Sequence, residues 1–260
     1  MALNLGNLLR APLRHRDLLF LLVRRDIAAR TSGTVLGGLW MLVQPALQVA
    51  ALWFLLDIVL KVRFPGMEGG FVGYYLTGML PWLMMSEIIQ RSLGVMPEYA
   101  ALYQRAVFPL HLLPLIPAIV SGAIYTAIFV LVAGAVAGWS GALGAAVLMA
   151  GLLLWLLPFC YLLAVLGLFV RDLQQLAPFV LTMLLYVTPI LYLPQAFPQS
   201  LHWWLDVNPF AHVMVLAHAA VQGQRWDVLD LAVPALLWAA AIAPAAFLFV
   251  RTRPHMREAL

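Results

Sequence analysis

The chain alternates long apolar runs with short polar stretches. A bilayer's hydrocarbon core is about 30 Å thick, so a helix needs about 20 apolar residues to cross it. Runs of that order fall at about 35–60, 71–89, 112–137, 143–169, 173–193 and 229–250, which predicts six transmembrane helices. Residues 106–170 hold no Lys, Arg, Asp or Glu. That stretch is long enough for two spans, and Gly138-Trp-Ser-Gly141 is the expected turn between them. The first apolar run, Leu18–Val23, cannot cross a bilayer. With the polar residues that follow, LLFLLVRRDIAAR (18–30) predicts a helix lying in the interface, with Asp26 and Arg30 away from the Arg24/Arg25 side. Residues 61–70 form a polar turn, and 90–105 the one sizeable polar connector of the first half. Residues 194–227 are too polar for a lipid-facing span and too apolar for a free loop, so short half-embedded helices are expected there.

Composition agrees with this pattern. Of 260 residues, 64% are hydrophobic and only 10% charged, and the mean hydropathy is +0.95. Soluble domains run nearer half apolar and a quarter charged. The expected fold is therefore an all-α integral membrane protein, a single transmembrane domain over 1–260. The net charge of +4 reads as topological, with no nucleic-acid partner. With six spans, twelve of the fifteen basic residues fall on the side of the two termini, leaving Lys61, Arg63 and Arg225 opposite. The positive-inside rule then puts both termini in the cytoplasm. A cleavable leader is not expected, because Arg24, Arg25, Asp26 and Arg30 follow the first apolar run. Cys160 is the only cysteine, so no intrachain disulfide forms.

Several chemistries lack their residues. Lys61 is the only lysine and sits in LKVRF, so the chain has no P-loop of its own. HExxH, paired CxxC and GxSxG motifs are absent. The six histidines are dispersed, and no metal site is expected. Asp57 and Glu87 lie near span ends, where snorkelling to the interface is the favoured reading over a proton relay. A protein with several spans, no buried charges and no nucleotide site still transports if an outside motor drives it.

Motifs along almost the whole chain carry a family resemblance. RRDIAARTSGTVLGGLWMLVQP (24–45) looks like an interfacial helix leading into a first span. TGMLPWLMMSEIIQRS (77–92) is similar to a second span, and AVFPLHLLP (106–114) to an FP-x(4)-LP signature. FVRDLQQLAPFVLTMLLYVTPILY (169–192) and LDVNPFAH (205–212) follow in order. Together they resemble the transmembrane subunits of type-2 ATP-binding-cassette exporters for cell-surface polysaccharides such as O-antigen, capsule and teichoic acid. The chain departs from the family pattern at Gln104, where a second basic residue often precedes Arg105.

The resemblance implies a homodimeric permease in a bacterial inner membrane that moves a lipid-linked glycan. It implies no cofactor in this chain, with ATP and Mg held by two copies of a cytoplasmic ATPase subunit. The implied coupling residues are Arg24, Arg25, Glu98, Tyr99, Arg105, Arg171 and Asp172, with a connector near 97–107 docking on the ATPase. Weakly binding aromatic faces suit a moving sugar chain, and Trp53, Phe54, Tyr74, Tyr75, Trp82, Tyr125, Phe129, Tyr186 and Tyr192 are the candidate liners. Trp203, Trp204, Asn208 and Pro209 would belong to an external gate formed by two short helices within 195–224. The alternatives are a type-2 exporter of drugs or lipids, a membrane enzyme or assembly factor, and an ion-coupled carrier.

Overall fold

The computed structural model describes residues 14–33, 35–61, 70–105, 108–252 and 256. Arg10, most of the 61–70 turn, the Arg105 side chain and most of the basic tail lie outside the described residues. The described chain is helical throughout, without strands.

Helix α1 (Arg16–Thr31) ends where Ser32 caps it, its N–H and its hydroxyl both donating to the Ala28 carbonyl at 2.9 and 2.6 Å. Leu18, Leu22, Asp26 and Arg30 repeat every four residues and so share one face. That face turns inward: Leu22 and Asp26 are buried, whereas Phe20, Leu21, Arg24 and Arg25 are exposed. A short 3₁₀ turn (Gly37–Leu39) leads into α2 (Trp40–Trp53), and a π-helical segment (Phe54–Val59) continues it. Most of α2 and of its π-helical continuation is uncovered. Leu42, Leu47, Phe54 and Ile58 are exposed, as suits a surface meeting lipid or another helix.

Helix α3 (Gly70–Glu98) runs on through the stretch expected to be a connector. It is the centre of the fold: Tyr75, Met79, Met84, Met85, Ile88 and Met96 are fully buried. Packing over most of its surface explains its composition, because a span wrapped in protein need not be as lipophilic as one facing lipid. A short helix, α4 (Ala100–Arg105), follows.

Helix α5 (Leu115–Phe169) is one hydrogen-bonded run of 55 residues, broken at Gly138 (φ 69°, ψ −159°). A straight helix would hold Gly122 and Leu153 about 46 Å apart. They touch instead, since a Cβ on Gly122 would lie 2.5 Å from Leu153 Cδ2. The chain therefore doubles back at Gly138, where glycine tolerates a positive φ.

Helix α6 (Asp172–Val187) is shorter than the expected 173–193 run. Thr188 precedes Pro189 and is forced into an extended conformation (φ −92°, ψ 138°), which stops the helix. Helices α7 (His202–Val207), α8 (Pro209–Gln222) and α9 (Val228–Thr252) complete the chain. Among the described residues, three stretches are long and apolar enough to cross a membrane: Gly37–Val59, Leu110–Phe169 and Val228–Thr252. The middle one contains the reversal at Gly138.

The core falls into two clusters. The larger is built from α3, α5, α6 and α8 around Tyr75, Met84, Phe129 and Met149. The smaller joins Leu22 of α1, Val95, Met96 and Tyr99, Leu112, Leu113, Leu115 and Ile116, Ala164, Val165 and Leu168 of α5, Phe249 of α9 and Met256. Leu157 packs against both.

Candidate coupling and translocation site

Asp26 is the hub of a charged network beside the smaller cluster. Its side chain is only 1% exposed, which corrects the expectation of no buried charge. Arg91 Nη2 donates to Asp26 Oδ1 at 2.6 Å, and Arg30 Nε to Oδ2 at 3.1 Å. The Tyr99 hydroxyl donates to Oδ1 at 3.3 Å. Arg30 continues the chain: Nη1 donates to Glu87 Oε1 at 2.8 Å and Nη2 to Ser121 Oγ at 3.3 Å. Ser121 in turn donates to Glu87 at 2.7 Å. Glu87 is thus fixed by Arg30 and Ser121 and does not snorkel as a lone carboxylate. The network joins α1, α3 and α5. An ionised carboxylate buried this far is tolerable only with such partners. Burial still raises the Asp26 carboxyl above its ordinary range, against the opposing pull of Arg30 and the Tyr99 hydrogen bond.

Among the expected coupling residues, Arg25, Glu98 and Tyr99 gather at this corner. The Arg25 guanidinium lies 5.2 Å from the Tyr99 ring centroid, a cation–π contact. Glu98 is exposed beside them. Its carboxyl is raised first by desolvation and then by the charge of Asp26, with Arg30 and Arg25 opposing. Arg24 is exposed on α1, and Arg171 and Asp172 are exposed at the α5–α6 turn.

The network opens onto a cavity of about 500 Å³ between α2, α3, α5 and α6. Arg30, Glu87 and Arg91 stand on its wall, together with Trp82 and Tyr125 from the expected aromatic path. The other aromatics go elsewhere. Trp53 and Tyr75 line an apolar groove of about 350 Å³ between α2 and α3, with the Tyr75 hydroxyl donating to Val49 O at 3.3 Å. Tyr74 donates to the carbonyls of Pro189 and Tyr192 at 3.2 and 3.1 Å and packs on His218 with ring centroids 4.0 Å apart. Tyr192 stacks on Phe197. Phe129 is buried in the larger core, while Phe54 and Tyr186 face outward.

At the opposite end of α6, Asn208 is buried and serves two elements. Its Oδ1 accepts from Phe210 N–H at 3.0 Å, capping α8, and its Nδ2 donates to Thr188 Oγ1 at 3.1 Å. Pro209 occupies the first turn of α8, where its missing N–H costs nothing. Trp203 and Trp204 meet edge to face at 6.0 Å, with Trp203 exposed. His212, not anticipated from the sequence, lies 2.8 Å from Asp230 Oδ1 and 2.9 Å from Asp206 O, so it ties α7 and α8 to α9.

The residues missed from sequence were Asp26, Arg30 and Arg91. The signal was the four-residue repeat Leu18, Leu22, Asp26, Arg30, which places a carboxylate on the apolar face of α1.

The chain is similar to several proteins named for polysaccharide export or transport. It is 25% identical over 221 residues to the "O-antigen export system permease protein RfbA" of Klebsiella pneumoniae, covering 83% of this chain and 81% of that protein. The Myxococcus xanthus protein of the same name is 28% identical over 191 residues, 71% and 72% of the two chains. The "Polysialic acid transport protein KpsM" of Escherichia coli is 25% identical over 204 residues, 76% and 78% of the two chains. The ABC-2 type transporter family matches residues 17–221, so this chain belongs to the membrane-protein family of ABC-2 type transporters.

Proposed function

We propose that this chain is the permease subunit of an ATP-driven exporter of a lipid-linked cell-surface polysaccharide. In this reading it crosses the inner membrane six times with both termini in the cytoplasm. Two copies pair, and two separate ATPase subunits drive them with ATP and Mg. The relatives named for O-antigen and polysialic acid transport support the substrate class.

One geometric observation carries the mechanism. The Asp26–Arg30–Glu87 chain runs unbroken from the corner occupied by Arg25, Glu98 and Tyr99 to the wall of the cavity. A push on that corner by an ATPase is passed to the cavity through charged bonds of 2.8 and 3.1 Å, with no soft apolar contact between. Arg24, Arg105, Arg171 and Asp172 extend the docking surface. Trp82 and Tyr125 back the cavity wall from the larger core and are the aromatic residues nearest a passing sugar chain, and Trp203, Trp204, Asn208 and Pro209 form the outward gate.

The test is export in cells that lack their own copy. Trp82→Ala and Tyr125→Ala should lower surface glycan while leaving association with the ATPase intact. Normal surface glycan in both variants would remove the aromatic path from the mechanism.

A further inference from the structure

Two adjoining hollows lie where α9 packs against α5 and α8, away from the 500 Å³ cavity. The first is an apolar groove of about 350 Å³, with Val147, Gly151 and Leu154 of α5 facing Leu231, Ala235 and Trp238 of α9. All six are exposed, so the groove is open along its length. Trp155 lines it too. The Trp155 indole N–H donates to Pro234 O at 2.8 Å and that of Trp238 to Leu154 O at 3.2 Å, so both tryptophans present only ring to the groove. From Leu231 to Trp238 the groove runs about 11 Å along α9. That length fits within one leaflet of a hydrocarbon core about 30 Å thick.

The second hollow, about 310 Å³, closes the end of this groove and shares Leu216 and Trp226 with it. It is polar where the groove is not. Gln195, Gln224, Arg225 and Asp227 line it, and all four are exposed. The turn that carries the two charges is fixed at both ends. Gly223 (φ 67°) terminates α8, and Asp227 Oδ1 accepts from Leu229 N–H at 3.2 Å at the start of α9. Asp230 also stands here but is engaged by His212 at 2.8 Å. Among the described residues, Arg225 has no hydrogen bond or ion pair, and Asp227 has no cationic partner.

We propose that the two hollows together bind one aminophospholipid, an acyl chain in the groove and a zwitterionic headgroup in the polar hollow. Arg225 donates to the phosphate, a charge-assisted bond. The Asp227 carboxylate receives the ammonium group. Trp226 stands at the junction, the headgroup level that suits an amphipathic ring. One cation and one carboxylate side by side match a headgroup that carries both signs. An anionic lipid would satisfy Arg225 and set its own charge against Asp227. A soluble phosphate would leave the groove unfilled.

The full-length protein in detergent is titrated with palmitoyl-oleoyl phosphatidylethanolamine and, separately, with the phosphatidylglycerol of the same chains, and bound lipid is counted by native mass spectrometry. Three exposed positions are changed one at a time. Gly151→Leu fills the groove, where nothing lies within 4 Å of a Cβ. Arg225→Gln removes the cation. Asp227→Asn removes the carboxylate and keeps an acceptor for Leu229 N–H. The wild type should prefer phosphatidylethanolamine by about tenfold. Gly151→Leu and Arg225→Gln should each weaken both lipids about tenfold. Asp227→Asn should weaken phosphatidylethanolamine alone and abolish the preference. The wild-type preference is read without any substitution, so it stands or falls whether or not a variant folds. The proposal is overturned if the wild type binds phosphatidylglycerol as tightly as phosphatidylethanolamine, or if the folded variants bind both lipids like the wild type. It is also overturned if Gly151→Leu dissolves a dimer in the same spectra while lipid binding is unchanged, because a second copy of the chain then fills the groove.

Discussion

Gly167 lies where α5 presses on the carbonyl side of α3. A Cβ placed on it would sit 2.0 Å from the Leu93 carbonyl oxygen and 2.6 Å from its carbon. Ordinary contact begins at 3.4 Å, so Gly167→Ala forces the helices apart by about 1.4 Å. Both sides of the contact are backbone, so no side chain can swing away. Overpacking costs about 1–3 kcal/mol, and this case falls at the upper end, near 3 kcal/mol. For a chain of this size that lowers the melting temperature by about 6–12 °C. Gly151→Ala is the control, because nothing lies within 4 Å of a Cβ there and alanine improves a helix interior by about 1 kcal/mol. Both variants are purified and melted in detergent by tryptophan fluorescence. If Gly167→Ala melts no lower than Gly151→Ala, the close approach of α5 to α3 is wrong.

Asp26→Ala leaves Arg91 and Arg30 facing an emptied site and should cost about 3 kcal/mol, read as a lower melting temperature and weaker association with the ATPase. Asp26→Asn isolates the charge. The native carboxyl sits above its ordinary range, so the native state binds its proton more readily than the unfolded chain. Stability from this group grows as pH falls through the raised pKa and is lost as pH rises through it. The wild type should therefore gain on Asp26→Asn in parallel melts as the buffer is acidified from neutral, and a gap that moves the other way contradicts the burial of Asp26. Asn208→Ala should cost about 2 kcal/mol, one part for the α8 cap and one for the Thr188 bond. Asn208→Asp keeps the cap and should melt between the two.

The helical, membrane-spanning character was legible because it depends on run length and charge spacing alone, both printed in the sequence. The end of α6 was not, since a hydropathy run passes smoothly through Thr188 and Pro189 while the backbone does not. The polar stretch 90–105 looked like a connector. Its first half instead extends α3, because Leu93, Val95 and Met96 bury themselves against α1 and α5 and outweigh the polar residues between them. The site was legible only in outline. Arg25, Glu98 and Tyr99 came from motif order, but pairing Arg91 with Asp26 joins residues 65 apart in sequence, and periodicity reports only near neighbours. Aromatic residues announce no direction, so Phe129 in the core and Tyr186 on the surface could not be told from Trp82 at the cavity.

The two apolar clusters differ in how early a ribosome can supply them. The buried members of the larger run from Phe71 to Val221. The smaller takes both Leu22 and Met256, so it stays incomplete until residue 256 is made. Asp26 has no Arg91 until α3 is made. The corner around Asp26 therefore depends on parts of the chain made far apart in time.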